Sequence, residues 1–152
     1  MYRIFLCALL LLAVTFAPAL QTSWTSATPA QGYTLTVIVE GVNERDGNIG
    51  MLVFNSPKGW AEDINSAFRD AVVPAHPGTV TLMVPNLPAG EYAVAVVHDV
   101  NKNRKLDRNW MKKPTEQWGL SNNPHAVLKT PAYEKCTFML KGDKEIHITM
   151  QQ

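Results

Sequence analysis

Hydrophobic and polar positions alternate along most of this chain. In Tyr33–Glu40, Leu35, Val37 and Val39 fall on one face and Thr34, Thr36 and Glu40 on the other, the signature of a half-buried strand. Ile49–Asn55 forms a second strand, and the intervening Asp46-Gly47 turn signal predicts a hairpin between the two. Ser56-Pro57-Lys58-Gly59 breaks the pattern. Ile64, Ala67, Phe68 and Ala71 then recur at helical spacing, with Asp63 placed to start a short helix. A short strand at Ala71–Val73 is an equal alternative, and Pro74 and Pro77 end either element.

Val80, Leu82 and Val84 keep phase in a strand over Thr79–Val84, and Leu87-Pro88-Ala89-Gly90 makes a tight turn. Glu91–Val97 is apolar at both parities, which predicts a strand covered on both faces and central in its sheet. About 34 residues without a clear period follow Asp99. A stretch that long inside a compact domain is commonly functional. Two strands close the chain: Cys136, Phe138 and Leu140 share a face in one, and Ile146, Ile148 and Met150 in the other, with Gly142-Asp143 between them. Short strands separated by turn signals predict an all-β fold, an antiparallel sandwich of about seven strands with one long loop.

Composition changes this picture at the N-terminus. Arg3, the apolar run Ile4–Leu12 and Ala17-Pro18-Ala19 read as a secretory signal peptide over residues 1–19. The run is short for a membrane-spanning helix. Residues 20–31, rich in Ser, Thr, Pro, Ala and Gln, read as a flexible lead-in to one domain over 32–152. The expected location is periplasmic or secreted, with no transmembrane segment after cleavage. Cleavage removes Arg3 and no acid, so the formal charge falls from +1 to 0. A neutral chain argues against non-specific nucleic-acid binding. Only Cys136 then remains, so no internal disulfide can form.

Candidate chemistry gathers after the central strand. Asp99, Asn101, Asn103 and Asp107 present short oxygen-bearing side chains at positions one, three, five and nine of a calcium-type loop. The Lys105 carbonyl and the Glu116 carboxylate can complete a Ca2+ shell. Two features oppose tight binding. Arg104 occupies the sixth position, where a bend with positive φ is wanted and costs a side-chain-bearing residue roughly 1 kcal/mol. Residues 99–113 also carry Lys102, Arg104, Lys105, Arg108, Lys112 and Lys113 against two aspartates, a surplus of four positive charges. Calcium affinity of about 10⁻⁴ to 10⁻³ M is therefore the expectation. The alternative needs no metal: Asp and Asn side chains tie such loops through Asx-turns to backbone N–H groups.

Other sites have less to recommend them. His76, His98, His125 and His147 lack zinc-ligand spacing, and His98, in phase with Tyr92, Val94 and Val96, reads as a structural histidine. Ser121 has no nucleophile-elbow context, and Cys136 on an apolar strand face reads as an inert thiol. Trp110 and Trp118 flank the basic pair Lys112-Lys113. Together they could grip a glycan or an anionic surface, or both indoles could cap the core.

The run Leu87–Asn103 with Asp107, followed by Pro114-Thr115-Glu116-Gln117-Trp118-Gly119-Leu120-Ser121-Asn122-Asn123, resembles a bacterial family of exported proteins, domain of unknown function 2141. The strand Gly50–Asn55 resembles the family's opening "G-x-x-x-v-F-N", and the similarity spans about Tyr33 to Met150. The resemblance implies a secreted or periplasmic sandwich of the immunoglobulin-like or prealbumin-like kind, and no activity. Arg104 and Lys112 stand where that family usually has Gly. The expected function is a non-enzymatic binding or structural role in the cell envelope. A small secreted hydrolase using His98, Asp99 and Glu116 is the alternative.

Overall fold

The computed structural model describes residues 32–44, 46–125 and 129–152. The signal and lead-in segments assigned to residues 1–31 lie outside that range. Alternation becomes two packed sheets. One has the order β4(Gly78–Leu87), β1(Tyr33–Val42), β8(Lys144–Thr149). The other has the order β3(Arg69–Pro74), β2(Asn48–Phe54), β5(Gly90–Asp99), and both β6(Trp118–Leu120) and β7(Phe138–Leu140) pair with the far edge of β5. All ladders are antiparallel except β1 with β8, which run parallel from Leu35↔Lys144 to Glu40↔Thr149.

The period-2 positions meet between the sheets. Leu35, Val37 and Val39 of β1, Val80 and Leu82 of β4 and Ile148 of β8 oppose Ile49, Met51 and Val53 of β2 and Val94 and Val96 of β5. A second cluster covers part of the outer face of the larger sheet. There Phe54, Ala93, Ala95 and Leu120 pack under Tyr133 and Cys136 of α1(Tyr133–Cys136), with Trp60 and Trp118 at its margin. Trp60 stands edge-on to Phe54 and Tyr133, at ring-centroid distances of 5.3 and 5.5 Å. Coverage on both faces is why β5 carries apolar residues at both parities.

Three expectations are corrected. First, β1 and β2 do not form a hairpin, because the Asn43–Gly47 connection crosses between the sheets. A turn signal fixes a reversal of direction; it does not fix which sheet receives the next strand. Second, the helical spacing from Ile64 yields only a 3-10 turn over Ile64–Ser66, and the strand alternative prevails as β3. Asp63 still caps, its side chain accepting from the Asn65 N–H at 3.0 Å. Third, Cys136 does not share a strand face with Phe138 and Leu140. It ends α1 and packs in the outer cluster, whereas Leu140 is in the inner core. Burial, with Glu134 adding to it, raises the Cys136 thiol to about 11. That agrees with an inert role.

The two prolines inside or ending strands sit on sheet edges, Pro85 in β4 and Pro74 in β3, where a missing N–H breaks no ladder bond between neighbours. The Tyr92 hydroxyl donates to the Pro88 carbonyl at 3.0 Å and pins the β4–β5 turn. Between β6 and β7 the ladder along β5 is completed by a side chain: the fully buried Ser121 hydroxyl accepts from the Val94 N–H at 2.9 Å and lies 2.6 Å from the Cys136 carbonyl.

Candidate functional site

The excursion between β5 and β6 is closed at its base. The His98 N–H donates to the Gln117 carbonyl at 2.9 Å, extending the β5–β6 pairing past its named strands. Further out, Thr115 N–H donates to the Asp107 carbonyl and Asn109 N–H to the Lys113 carbonyl, both at 2.9 Å. The result is a hairpin-like projection tipped by Asn109–Lys113.

All six carboxylate oxygens of Asp99, Asp107 and Glu116 accept a hydrogen bond from within the excursion. Asp99 Oδ1 takes the Asn103 N–H at 3.0 Å and Oδ2 takes the Arg104 N–H at 2.7 Å. Asp107 takes the side-chain amides of Asn101 and Asn103, at 2.6 and 2.8 Å. Glu116, buried at 7% exposure, bridges the two arms through the Val100 and Asp107 N–H groups, at 2.9 and 3.0 Å. The Asn101 and Asn103 carbonyl oxygens form Asx-turns to the N–H groups of Asn103 and Lys105. Lys105 joins the network through its N–H. The six residues proposed as cation ligands are therefore brought together, and the loop is tied by their own hydrogen bonds. Among the described residues, no three His, Cys, Asp or Glu side chains group as a metal centre. A cation here would draw on Asn amides, carbonyls and water as well.

Backbone geometry explains the residues that interrupt this pattern. Lys102, Arg104 and Lys112 have φ of 61°, 63° and 61°. The bend expected at the sixth position is thus present at Arg104, and Lys112 adopts the same left-handed conformation at the tip. The excursion rests on Gly47, whose φ is 82° and where an added Cβ would stand 2.2 Å from the Asp99 carbonyl oxygen.

Of the three hydrolase candidates, His98 and Glu116 share one small cavity, and Asp99 lines a different one. His98 and Asp99 are consecutive in β5 and project to opposite sides. His98, 1% exposed, places Nε2 2.7 Å from the Asp46 carbonyl oxygen, so that nitrogen carries the proton and donates. It lines a small cavity of about 50 Å³ beside Glu116 and Gln117. Asp99 instead lines a separate groove. Ser121 is likewise taken up by the β5 ladder.

That groove, about 1330 Å³, runs along the outer face of the larger sheet where the outer cluster leaves it open. Gly50 and Leu52 of β2 and Val97 of β5, all half-buried, form its floor, and Ala95 and Leu120, buried in the outer cluster, border it. The excursion is one wall and contributes Lys102, Lys105, Lys112 and Lys113. Arg104 pairs with Asp70 at 3.3 Å and Arg108 with Glu62 at 2.8 Å, both across the groove. The four lysines have no carboxylate within 4.0 Å among the described residues. The two tryptophans part company: Trp118 is half-buried against the outer cluster, and Trp110 at the tip is 90% exposed. The pairing of basic residues with an open sheet face was not legible from spacing, because the floor comes from alternate positions of β2, β5 and β6, far apart in sequence.

The family of uncharacterised proteins conserved in bacteria, DUF2141, matches residues 37–149 of this chain. The chain belongs to that family. The match takes in both sheets, the excursion and the groove floor, so the whole site lies within the DUF2141 region. No curated protein and no solved structure matches the chain. Among the described residues no helix is long and apolar enough to cross a membrane.

Proposed function

We propose that this DUF2141 protein is an exported, non-enzymatic binding module of the cell envelope, and that its excursion Asp99–Glu116 is the end at which it meets its partner. Export rests on the signal-like sequence of residues 1–19. The observation that supports the binding reading is the state of the excursion's acids: every carboxylate oxygen of Asp99, Asp107 and Glu116 accepts a hydrogen bond that shapes the loop. A loop so ordered holds the lysines of the groove wall in place before any ligand arrives, which lowers the entropy lost on binding.

Calcium belongs to this reading as a weak, accessory ligand. To enter, it must displace hydrogen bonds already made to Asp99 and Asp107, against the surplus of positive charge nearby. At ten times a dissociation constant near 10⁻³ M the linkage would add about 1.4 kcal/mol. Melting in about 10 mM calcium is expected to rise by a few degrees, and the double variant Asp99→Ala with Asp107→Ala to lose that rise. An unchanged melting curve would remove the metal. A panel of esters, glycosides and phosphate esters is expected to show no turnover; turnover abolished by His98→Gln in a protein that melts as wild type would overturn the non-enzymatic reading.

A further inference from the structure

We infer that the groove on the outer face of the larger sheet holds one anionic lipid, its hydrocarbon chain on the strand face and its phosphate or carboxylate head at the lysine wall. This deepens the binding-module reading and rests on it. The floor comes first. Asn48, Thr130 and Gln152 add polar groups elsewhere in the lining, but Gly50, Leu52 and Val97, bordered by the buried Ala95 and Leu120, present no polar side-chain atom. Their backbone N–H and carbonyl groups are engaged in the β2–β5 and β5–β6 ladders, or point along them. A peptide lying on this floor would bring its own amides into a place with nothing to bond them, which is unfavourable. An alkyl chain carries no such groups and gains from the contact.

The wall comes second. Lys102, Lys105, Lys112 and Lys113 line the groove without a carboxylate partner among the described residues, whereas the two arginines are already paired. Charge complementarity therefore selects an anionic head. Size comes third. At about 1330 Å³ the groove has room for a long chain together with its head group. Met111 in the lining is 50% exposed, and Trp110, which precedes it in sequence at the tip of the excursion, is 90% exposed. An indole next to ammonium groups is the combination favoured at a membrane–water boundary, from which such a ligand would be drawn.

Glycine at position 50 gives a direct way to fill the floor. Its φ is not in the left-handed region, and an added Cβ would meet only Val97 Cγ1 at 3.4 Å, an ordinary contact. The test is calorimetric titration of the full chain with dodecyl phosphate below its micelle threshold. Octyl phosphate, dodecanol, inorganic phosphate and an acidic oligoglutamate peptide serve as comparisons. Dodecyl phosphate is expected to bind at least about tenfold more tightly than octyl phosphate, because four further methylenes are buried. Dodecanol should bind at least about tenfold more weakly than dodecyl phosphate, and inorganic phosphate and the peptide should not register. Gly50→Phe should reduce dodecyl phosphate affinity at least tenfold with its melting temperature kept. Lys112→Glu with Lys113→Glu, on exposed positions that the core does not use, should do the same if Gly50→Phe fails to fold.

Absence of binding by the wild-type chain would overturn the inference. So would indifference to chain length, equal binding of dodecanol, or a well-folded Gly50→Phe that binds as wild type. Binding of the oligoglutamate peptide alone would replace the lipid with a protein partner and leave the binding-module reading standing. Hydrolysis of the alkyl phosphate would instead defeat that reading itself.

Discussion

Individual residues settle what the excursion is made of. Glu116 is buried and accepts two backbone N–H groups on opposite arms. Removing it as Glu116→Ala leaves both donors without their partner, and hydrogen bonds to a charged group are worth about 1.5–3 kcal/mol each. A loss of about 3 kcal/mol is expected in urea unfolding. Ser121→Ala strips the buried Val94 N–H of its acceptor and is expected to cost about 1–3 kcal/mol. Lys112 works the other way. Its left-handed φ of 61° is one that glycine adopts freely, and the side chain is exposed. Lys112→Gly is expected to raise stability by up to about 1 kcal/mol, read from the denaturant midpoint. A drop would mean that the lysine makes contacts beyond those described. The sequence pointed to both glycine-like positions through the family resemblance, and Arg104 and Lys112 do adopt the left-handed conformation. The same sequence left open whether the Asp and Asn side chains serve a cation or their own backbone. Residue type supplies the oxygens, and only folded geometry says which N–H groups reach them.

At the level of elements, the strands were legible wherever alternation ran for five residues or more. β1, β2, β4, β5 and β8 all appear near their expected spans. β6, with three residues, was lost in the aperiodic stretch, and α1, with four, in the strand expected around Cys136, because neither is long enough to display a period. Pairing was less legible than the strands themselves. The parallel β1–β8 ladder joins residues about a hundred positions apart, and nothing local announces it. That ladder carries a titratable link. His147 on β8 lies 2.9 Å from Glu40 on β1 and 3.4 Å from Glu145. The hydrogen bond to Glu40 is the main cause that raises the imidazole above its ordinary value, with Glu145 adding to it. Because the folded state favours the protonated ring, the link's contribution is complete below the unfolded histidine value of about 6.5 and fades as pH rises through the higher folded value. Histidine NMR titration should place His147 above 6.5, and Glu40→Gln should lower it. A ring that titrates at the ordinary value in the wild type would dissolve this link.

Taken as a whole, the molecule is two sheets that hide their shared core, with a partial second layer over one outer face. What that layer leaves bare is the groove, walled by an excursion that holds itself in shape. The fold class could be read from the pattern, and so could the presence of a long excursion after β5. The groove could not, since its floor depends on β2, β5 and β6 lying side by side, and its wall on where the basic residues between the calcium-like positions finally point. In space, Lys102, Lys105, Lys112 and Lys113 line the groove beside the strand face.

The excursion is built by its own hydrogen bonds and stands ready without metal or ligand. Amide hydrogen exchange in chelator-treated buffer tests this most directly, at Val100, Asn103, Arg104, Lys105 and Asp107, whose N–H groups meet side-chain oxygens. Protection at these five amides well above that of an unstructured chain, already present before any calcium is added, is the expected result. Free exchange without calcium, with protection arising only on its addition, would contradict the account.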